Sequence, residues 1–410
     1  MAKKMVDIFN IYIKLPQFVG VFLFLTNSDF YMKRIAIIGA GIGGLTAALA
    51  FKQKGFNVIV YESAAEIKPV GAGIGIANNA MQIFEKLGIH KKIENAGVKV
   101  SAMSITDYKL RSLSVIDLKE FEVKYGVCNV SIHRAVLQNI LAEEIGFENI
   151  KLSKRLLKIE QDEKVQLSFE DGSIETADVV IAADGIKSVV RNQLFNPSQI
   201  RDTNQICWRG VSKVLLPKEY NNKAVETWGK GKRFGFVQIN EQDTYWYAVV
   251  NESLINQYED SLQDLFKYFH IDVLNIITNT SDDTVIKNRI IDLKPIHKWF
   301  NKKVCLLGDA AHATTPNLGQ GACQAIEDAY LLAELYQEDK TIENVFKEFQ
   351  KLRIKKAHSI VKSSWRIGKI AHLENGLAVY FRNLLMRCIP TSANSKQLQS
   401  IFKLDYLREN

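Results

Sequence analysis

Cysteine is scarce in this chain, with five residues in 410, and its placement excludes some kinds of site. The cysteines stand far apart and form no metal-ligand spacing, so no metal site is predicted. Such usage is typical of a protein in a reducing cytoplasm, which is the predicted location. The five positions are Cys128, Cys207, Cys305, Cys323 and Cys388.

Runs of like charge are also missing, although the chain has a formal net charge of +8. Its lysines are distributed along the whole chain, and no five like charges are consecutive. Basic and aromatic residues do not alternate in the manner of nucleic-acid-binding segments. The sequence therefore favours a solvated basic surface over a polyanion site, and no nucleic-acid partner is expected.

The apolar run near the N-terminus, residues 18–25, is too short to span a bilayer, which needs roughly 20 apolar residues. It follows a basic start, but residues 25–28 make a poor signal-peptide cleavage site. No integral membrane span is therefore expected. Because Met32 immediately precedes the first predicted strand, residues 1–31 are predicted to be a dispensable extension, with a peripheral membrane anchor as the alternative.

What the chain does contain is enough apolar residues, 47%, to bury a large core in one extended domain or two joined ones. Its first informative motif is a glycine-rich turn. The β-branched run at residues 34–38 ends in Gly-Ala-Gly-Ile-Gly-Gly at residues 39–44, and residues 45–54 follow with helical periodicity. This order predicts a strand, a tight turn and a helix.

The spacing of this turn predicts a dinucleotide site. Gly39 permits the bend, Gly41 lets the backbone approach a pyrophosphate, and Gly44 allows close packing of helix on strand. A second predicted strand delivers Glu62 about 20 residues downstream, where a carboxylate can accept both ribose hydroxyls. That carboxylate would repel the 2′-phosphate of NADP, so the tightly held ligand is predicted to be FAD or NAD.

Two later predicted strands end in acids. The run at residues 177–183 stops at Asp184, and the run at 304–308 stops at Asp309. Ligands lie at the carboxyl ends of strands in open α/β sheets, although an Asp-Gly pair alone is also an ordinary turn. The glycine-rich helix start at 316–322 can place N–H groups at an electron-rich ring. An acid can bind the ribityl chain of FAD, and N–H donors can face the pyrimidine edge of its flavin ring. This combination favours FAD over NAD.

The chain resembles the single-component FAD-dependent aromatic hydroxylases from Met32 to about Tyr406. Two further motifs, at residues 69–74 and 314–321, are similar to the branch that holds salicylate hydroxylase, FAD-dependent urate hydroxylase and zeaxanthin epoxidase. The motifs that carry the family resemblance occur in the same order in those enzymes, at residues 39–44, 183–185 and 308–312.

The resemblance implies a role for each residue of the cofactor site. Glu62 would hold the adenosine ribose, Arg134 would contact the phosphate or ribityl region, and Asp309 would hold the ribityl chain. Gly75 would lie along the cofactor, and Pro316 with the amides from Gly319 onward would border the isoalloxazine ring. The predicted FAD-binding residues are Gly39, Gly41, Gly44, Glu62, Gly75, Arg134, Asp184, Asp309, Pro316, Gly319 and Gly321.

The predicted fold class is α/β, with a Rossmann-type FAD-binding domain, an inserted antiparallel β-sheet substrate domain and a C-terminal helical segment. Alternating stretches at residues 224–228, 234–237 and 245–250 predict the antiparallel strands. One further short helix is predicted after Pro390. From Thr341 the chain is predicted to be helical, with an apolar stripe formed by Ile342, Val345, Phe346, Phe349, Leu352 and Ile360. The predicted boundaries are 32–198 with 300–340 for the FAD domain, 199–299 for the substrate domain and 341–410 for the helices.

The activity implied by the resemblance is that of a monooxygenase. Hydride from NADH or NADPH would reduce the flavin, O2 would add at its C4a carbon, and the hydroperoxide would transfer one oxygen atom to substrate. A roof rich in Trp and Tyr would exclude water from that step. No second glycine fingerprint is present, so the nicotinamide is expected to dock transiently, and the sequence does not distinguish NADH from NADPH.

Two residues are predicted to contact substrate. Arg233 stands where the urate-hydroxylase resemblance places a substrate-orienting arginine, and a solvated strand-edge charge is the alternative. Trp246 falls on a neighbouring predicted strand, and a core position is its alternative. His312 is predicted to be a hydrogen-bonded turn residue rather than a general base.

Three functions remain open from the sequence. The first is hydroxylation of a small aromatic or heteroaromatic ring, and the second is epoxidation or hydroxylation of an alkene, polycyclic natural product or antibiotic. The third is an FAD-bound redox-sensing protein without oxygen transfer. The expected partners are a small-molecule substrate, O2 and NAD(P)H, in a monomer or homodimer.

Overall fold

The structure is a computed structural model that describes four stretches of the chain. The predicted extension at residues 1–31 lies outside them, as do residues 69–71 of the predicted 69–74 motif. The described residues are 33–67, 72–255, 261–337 and 340–406.

Nineteen strands lie within the described residues, and they form four sheets. Their bounds are β1 Arg34–Ile38, β2 Asn57–Tyr61, β3 Gly73–Ile76, β4 Val98–Val100, β5 Ala102–Asp107, β6 Ser112–Asp117, β7 Asn129–His133, β8 Ile150–Lys151, β9 Leu156–Gln161, β10 Val165–Phe169, β11 Ile174–Ala177, β12 Val179–Ala182, β13 Ile200–Ser212, β14 Lys223–Trp228, β15 Lys232–Gln238, β16 Thr244–Asn251, β17 Ile286–Leu293, β18 Phe300–Asn301 and β19 Val304–Leu306.

Thirteen α-helices lie within the same described residues. Their bounds are α1 Ile42–Gln53, α2 Asn78–Lys86, α3 His90–Ala96, α4 Lys119–Tyr125, α5 Arg134–Ile145, α6 Val189–Leu194, α7 Leu262–Phe266, α8 Ile271–Thr278, α9 Asp309–His312, α10 Gly321–Leu335, α11 Ile342–Ala371, α12 Gly376–Cys388 and α13 Thr391–Phe402.

A six-stranded sheet, in the order β18-β19-β12-β1-β2-β8, is the centre of the nucleotide-binding part. All its pairs are parallel except β18 with β19, and its inner strands are apolar because helices cover both faces. Ile38 pairs with Ala182, and Ala182 pairs with Leu306. This register brings the turn after β1 and the acids Asp184 and Asp309 to one edge of the sheet. The α/β fold class is confirmed.

A seven-stranded sheet, in the order β17-β13-β16-β15-β14-β5-β6, contains the three predicted alternating segments as β14, β15 and β16. Its pairs are antiparallel except β14 with β5. Strands β5 and β6 come from residues 102–117, which were assigned to the FAD domain. The sheet therefore extends beyond the predicted 199–299 segment, because β5 completes the hydrogen bonding of β14.

One face of this sheet carries an apolar core, and the other carries several polar side chains. Trp246 stacks on Phe234 with ring centroids 5.4 Å apart, and both lie in a core built with α7 and α8. Successive residues of a strand point to opposite faces, so the odd-numbered residues of β15 and β16 lie on the other face. That second face is called the polar face below and comprises Cys207, Arg209, Glu226, Trp228, Arg233, Tyr245, Tyr247 and Val249.

Three helices follow Thr341, whose side chain accepts from the Asn344 amide and caps α11. The predicted stripe of α11 is buried at Val345, Phe346, Phe349 and Ile360, whereas Leu352 is exposed. Helix α13 is the short helix predicted after Pro390, and α12 was not predicted separately. No helix in the described part of the chain is long and apolar enough to cross a membrane.

Candidate functional site

The glycine turn after β1 combines three packed glycines, Gly39, Gly43 and Gly44, with one open glycine, Gly41. Gly39 has φ of +102°, and a Cβ there would lie 2.6 Å from the Ala183 carbonyl oxygen. A Cβ on Gly44 would lie 2.0 Å from the Gly39 oxygen, so helix and strand approach at that point. A Cβ on Gly41 would meet no atom within 4 Å. Gly41 therefore faces free space in front of the N-terminus of α1.

Glu62 directly follows β2 and lies beside the same turn. Its Oε2 accepts a hydrogen bond from the Ala40 amide at 2.7 Å, and its Oε1 accepts from the Ala64 amide at 2.8 Å. These bonds hold the half-buried carboxylate at the edge of the space in front of Gly41. The arrangement suits a carboxylate that accepts ribose hydroxyls.

Asp309, at the start of α9, lies near Arg134 from a distant part of the chain. Asp309 is exposed, and the charges of His312 and Arg134 act on its carboxylate. A Cβ built on Gly321 would lie 4.0 Å from Asp309 Oδ1. The structure therefore brings Arg134, Asp309 and the N-terminus of α10 together.

Further glycines line free space beside this group. Cβ atoms built on Gly75, Gly185 or Gly319 would meet nothing within 4 Å. Gly319 has φ of +62° and follows a 3-10 turn at Pro316–Leu318, and both Pro316 and Gly319 are exposed. Side chains at these positions would extend into open space.

One of the two carboxylate oxygens of Asp184 accepts a hydrogen bond from its own loop, and the other does not. Its Oδ2 accepts from the Val190 amide at 3.2 Å, and burial raises the pKa of Asp184. Its Oδ1 is buried and has no hydrogen-bond partner among the described residues. An unsatisfied buried oxygen costs about 1–3 kcal/mol, so a ligand donor at this place would stabilise the site. The open glycines, Glu62, Asp309 and this oxygen together fit FAD.

A buried ionic network lies next to the cofactor residues. His312 Nε2 and Asp328 Oδ2 are 2.5 Å apart, and Arg353 donates to Asp328 Oδ1 and Glu327 Oε2 at 2.6 Å each. Although burial itself raises the pKa of Asp328, the charges of His312 and Arg353 hold it below its usual value. His312 is thus a buried, hydrogen-bonded residue, and its distance from solvent argues against a general-base role. Sequence reasoning missed Arg353.

Arg233 lies on the polar face and is buried. Its Nη2 donates to Asn317 Oδ1, and its Nη1 lies 3.4 Å from Glu226 Oε1. Tyr247 O–H donates to Glu226 Oε2, and Trp228 Nε1 donates to Glu226 Oε1 at 2.5 Å. Glu226 therefore compensates the charge of Arg233. Because Arg233 is buried, the alternative of a solvated strand-edge charge is excluded.

Trp246 lies on the opposite face from Arg233. It is fully buried, and its Nε1 donates to the Thr280 hydroxyl at 2.8 Å. Trp246 therefore belongs to the core of the sheet rather than to the candidate site. The alternation of β16 instead presents Tyr245 and Tyr247 to the polar face.

Arg209 is a second arginine on the polar face that sequence reasoning missed. Burial raises the pKa of the Cys207 thiol, and the charges of Arg209 and Arg233 oppose this shift, so both guanidinium groups lie near Cys207. Arg209 Nε is buried without a hydrogen-bond partner, and no acid pairs with Arg209 among the described residues. The available signal was a charged residue directly after the apolar stretch Ile206–Trp208 of β13.

Local packing explains where Tyr245 and Tyr247 stand. A Cβ on Gly235 would lie 2.2 Å from Tyr247 Cζ, so the ring can lie across β15 and reach Glu226. A Cβ on Gly73 would lie 2.5 Å from Tyr245 Cβ, so Tyr245 packs on the strand that carries Gly75. The polar face and the glycine-lined space are therefore neighbours.

An open parallel sheet with a glycine turn and two acid-bearing strand ends, next to an antiparallel sheet with a polar face, is the architecture of a dinucleotide-binding enzyme. A family model described as an FAD binding domain matches residues 32–338, and the chain belongs to this family. A relative that is 33% identical is named a monooxygenase, and the protein is an FAD-dependent monooxygenase, as the sequence motifs predicted.

The chain is 33% identical over 361 residues to the aurachin C monooxygenase/isomerase of Stigmatella aurantiaca, across 86% of this chain and 93% of that protein. It is 30% identical over 386 residues to the 2-heptyl-3-hydroxy-4(1H)-quinolone synthase of Pseudomonas aeruginosa, across 90% and 97%. Among solved structures, Klebsiella pneumoniae HpxO in complex with FAD and uric acid matches with a TM-score of 0.85 and 26% identity. That match covers 92% of this chain and 100% of the other.

Proposed function

We propose that this protein uses NADH or NADPH and O2 to hydroxylate a small heteroaromatic substrate. The observation that carries the proposal is the hydrogen bond from Arg233 to Asn317. Asn317 follows Pro316 in the turn that the resemblance places beside the isoalloxazine ring. The polar face therefore lies against the position proposed for the flavin ring.

The chain's own residues divide the work of holding FAD. Glu62 serves the adenosine ribose, Arg134 the phosphate or ribityl region, and Asp309 the ribityl chain. The N-terminus of α10 supplies N–H groups and a positive dipole end, which stabilise negative charge on the pyrimidine edge. The chemistry that bound FAD supplies is the acceptance of hydride and the activation of O2 for transfer.

The polar face orients the substrate. Because Glu226 compensates Arg233, Arg209 carries the positive charge that remains for an electron-rich ring oxygen. Burial raises the pKa of both Tyr245 and Tyr247, so each phenol keeps its proton at neutral pH. The phenol rings also supply apolar walls that keep water from the reacting centre.

The substrate class is a bicyclic heteroaromatic compound with a ring oxygen substituent. One relative is named for a 4(1H)-quinolone product, and a similar structure holds uric acid. Both compounds are bicyclic and carry a ring carbonyl group, which an arginine can orient by donating a hydrogen bond. Arg209 is the residue of the polar face that suits this role.

The test is a screen with the purified yellow protein. NADH or NADPH consumption is followed while 2-alkyl-4-quinolones, urate, salicylate and a polyene are added in turn. A bicyclic heteroaromatic compound should accelerate consumption and yield a product heavier by one oxygen atom. Turnover of the polyene alone would indicate epoxidation instead, and flavin reduction that no compound accelerates would favour a redox sensor.

A further inference from the structure

An ordinary surface helix exposes polar residues, whereas helix α12 exposes apolar residues. Its exposed side is apolar, and the six apolar residues on or just after it are between 43% and 67% exposed. Most repeat at helical spacing, which makes a continuous stripe. These residues are Leu377, Tyr380, Phe381, Leu384, Leu385 and Ile389.

The protein-facing side of α12 carries a buried arginine. Arg382 donates to the Ala371 carbonyl oxygen at 2.8 Å, and its guanidinium lies 5.3 Å from the Trp228 ring centroid. Asn375 caps the helix by accepting from the amides of Leu377 and Ala378. Because these contacts fix the rotation of the helix, the apolar stripe faces outward by construction. Exposed apolar patches of this kind mark interaction surfaces.

The charge around the helix indicates what covers it. Residues 349–404 contain eleven lysines and arginines, of which Arg353 and Arg382 are buried and Lys356 is paired with Glu327, and a single acid, Glu374. The Lys230 amine approaches Gly376 at the start of α12, and Arg387 in its last turn is half-exposed, with its Nη2 3.8 Å from Asp107 Oδ2. Apolar side chains combined with flanking cations are typical of helices that lie in the interface of an anionic bilayer. A second copy of this basic surface would be repelled instead.

We propose that α12 is an interfacial helix that docks the protein on an anionic lipid surface. The stripe enters the boundary between headgroups and acyl chains, and the basic residues contact the headgroups. Through Arg382, Trp228 and Glu226, the docked helix adjoins the polar face, so the substrate site lies close to the lipid. Because a lipophilic substrate concentrates at a lipid surface, the docked protein would bind it there.

The test is flotation of the full-length flavin-loaded protein with lipid vesicles. Vesicles of phosphatidylcholine and phosphatidylglycerol in equal parts should carry the protein, and pure phosphatidylcholine should carry much less. Added salt should weaken binding, because it screens the headgroup charge. Binding needs neither substrate nor turnover, so its outcome is separate from that of the oxygenase proposal.

The matched variants are Leu385→Glu on the stripe and Leu215→Glu elsewhere, at leucines that are 65% and 71% exposed. Leu385→Glu should lower vesicle partitioning roughly tenfold or more, and Leu215→Glu should not. Equal flavin absorbance and circular dichroism of the three proteins show that all are folded. Absence of wild-type binding, or equal binding by Leu385→Glu, overturns the proposal. So does a dimer, seen by sedimentation, that Leu385→Glu dissociates without any vesicle binding.

Discussion

The guanidinium of Arg233 donates a hydrogen bond to the side-chain oxygen of Asn317, and this bond joins the seven-stranded sheet to the turn before α10. Asn317 is held in turn by its own amide, which donates to Thr315 Oγ1 at 2.9 Å and to the Ser364 carbonyl oxygen at 2.8 Å. The sheet that is proposed to bind substrate and the turn that is proposed to border the flavin are therefore positioned together.

Gly41 and Gly44 should respond differently to the same added methyl group. Gly41→Ala places a Cβ in free space, so stability should stay unchanged while FAD binding weakens. Gly44→Ala places a Cβ 2.0 Å from a backbone oxygen and should cost at least about 1–3 kcal/mol of unfolding free energy. Urea denaturation and flavin titration of both apoproteins measure the two effects. If Gly41→Ala bound FAD with full affinity, the assignment of the diphosphate to this turn would be wrong.

Asp309→Ala should bind FAD roughly ten- to a hundredfold more weakly, because a charged hydrogen bond to the ribityl chain is lost. The measurement is the flavin absorbance retained after gel filtration, followed by titration. Asp282→Ala, at an exposed acid in a 3-10 turn, is the control and should retain FAD. Unchanged affinity in Asp309→Ala would contradict the assignment.

Arg209→Gln should raise the KM for the accepted substrate roughly tenfold or more, since a charged hydrogen bond to the ring oxygen is removed. FAD content should stay the same, because Arg209 lies on the polar face rather than among the cofactor residues. Steady-state kinetics with the best compound of the screen measures this effect. A KM equal to that of the wild type would assign substrate orientation to Arg233 instead.

Arg353→Ala should destabilise the protein by about 3–5 kcal/mol, because it leaves the buried carboxylates of Glu327 and Asp328 without their main partner. Urea denaturation of the apoprotein measures the loss. Lys355→Ala, at an exposed position on the same helix, is the control and should change stability by about 0.5 kcal/mol or less. Equal stability of the two variants would show that the network contributes little.

Stability should fall on acidification through the range in which histidine titrates. Burial, and next the charge of Arg233, lower the pKa of His372 well below its usual 6.5. The folded protein therefore disfavours the protonated ring, and stability present above pH 6.5 is lost progressively as the pH falls toward the lowered folded pKa. Denaturation at several pH values should show a shallower slope in His372→Gln than in the exposed control His297→Gln. Identical slopes would assign the acid sensitivity to other groups.

The sequence by itself determined the nucleotide-binding half, because its signals are local. A tight turn needs Gly39, and acids such as Asp184 and Asp309 follow apolar strands directly, so their place at one sheet edge follows from the parallel order. The α/β class, the FAD cofactor and the family could be predicted from these short motifs.

Only the tertiary structure decided which side chains meet across long separations. The alternation of β16 was readable, but packing against α7 and α8 decided that Trp246 is core and that Tyr245 and Tyr247 face the site. The compensation of Arg233 by Glu226 depends on the register of β14 and β15, and the outward stripe of α12 depends on the burial of Arg382. Local propensity does not encode such contacts, because each depends on two segments that only the folded core brings together.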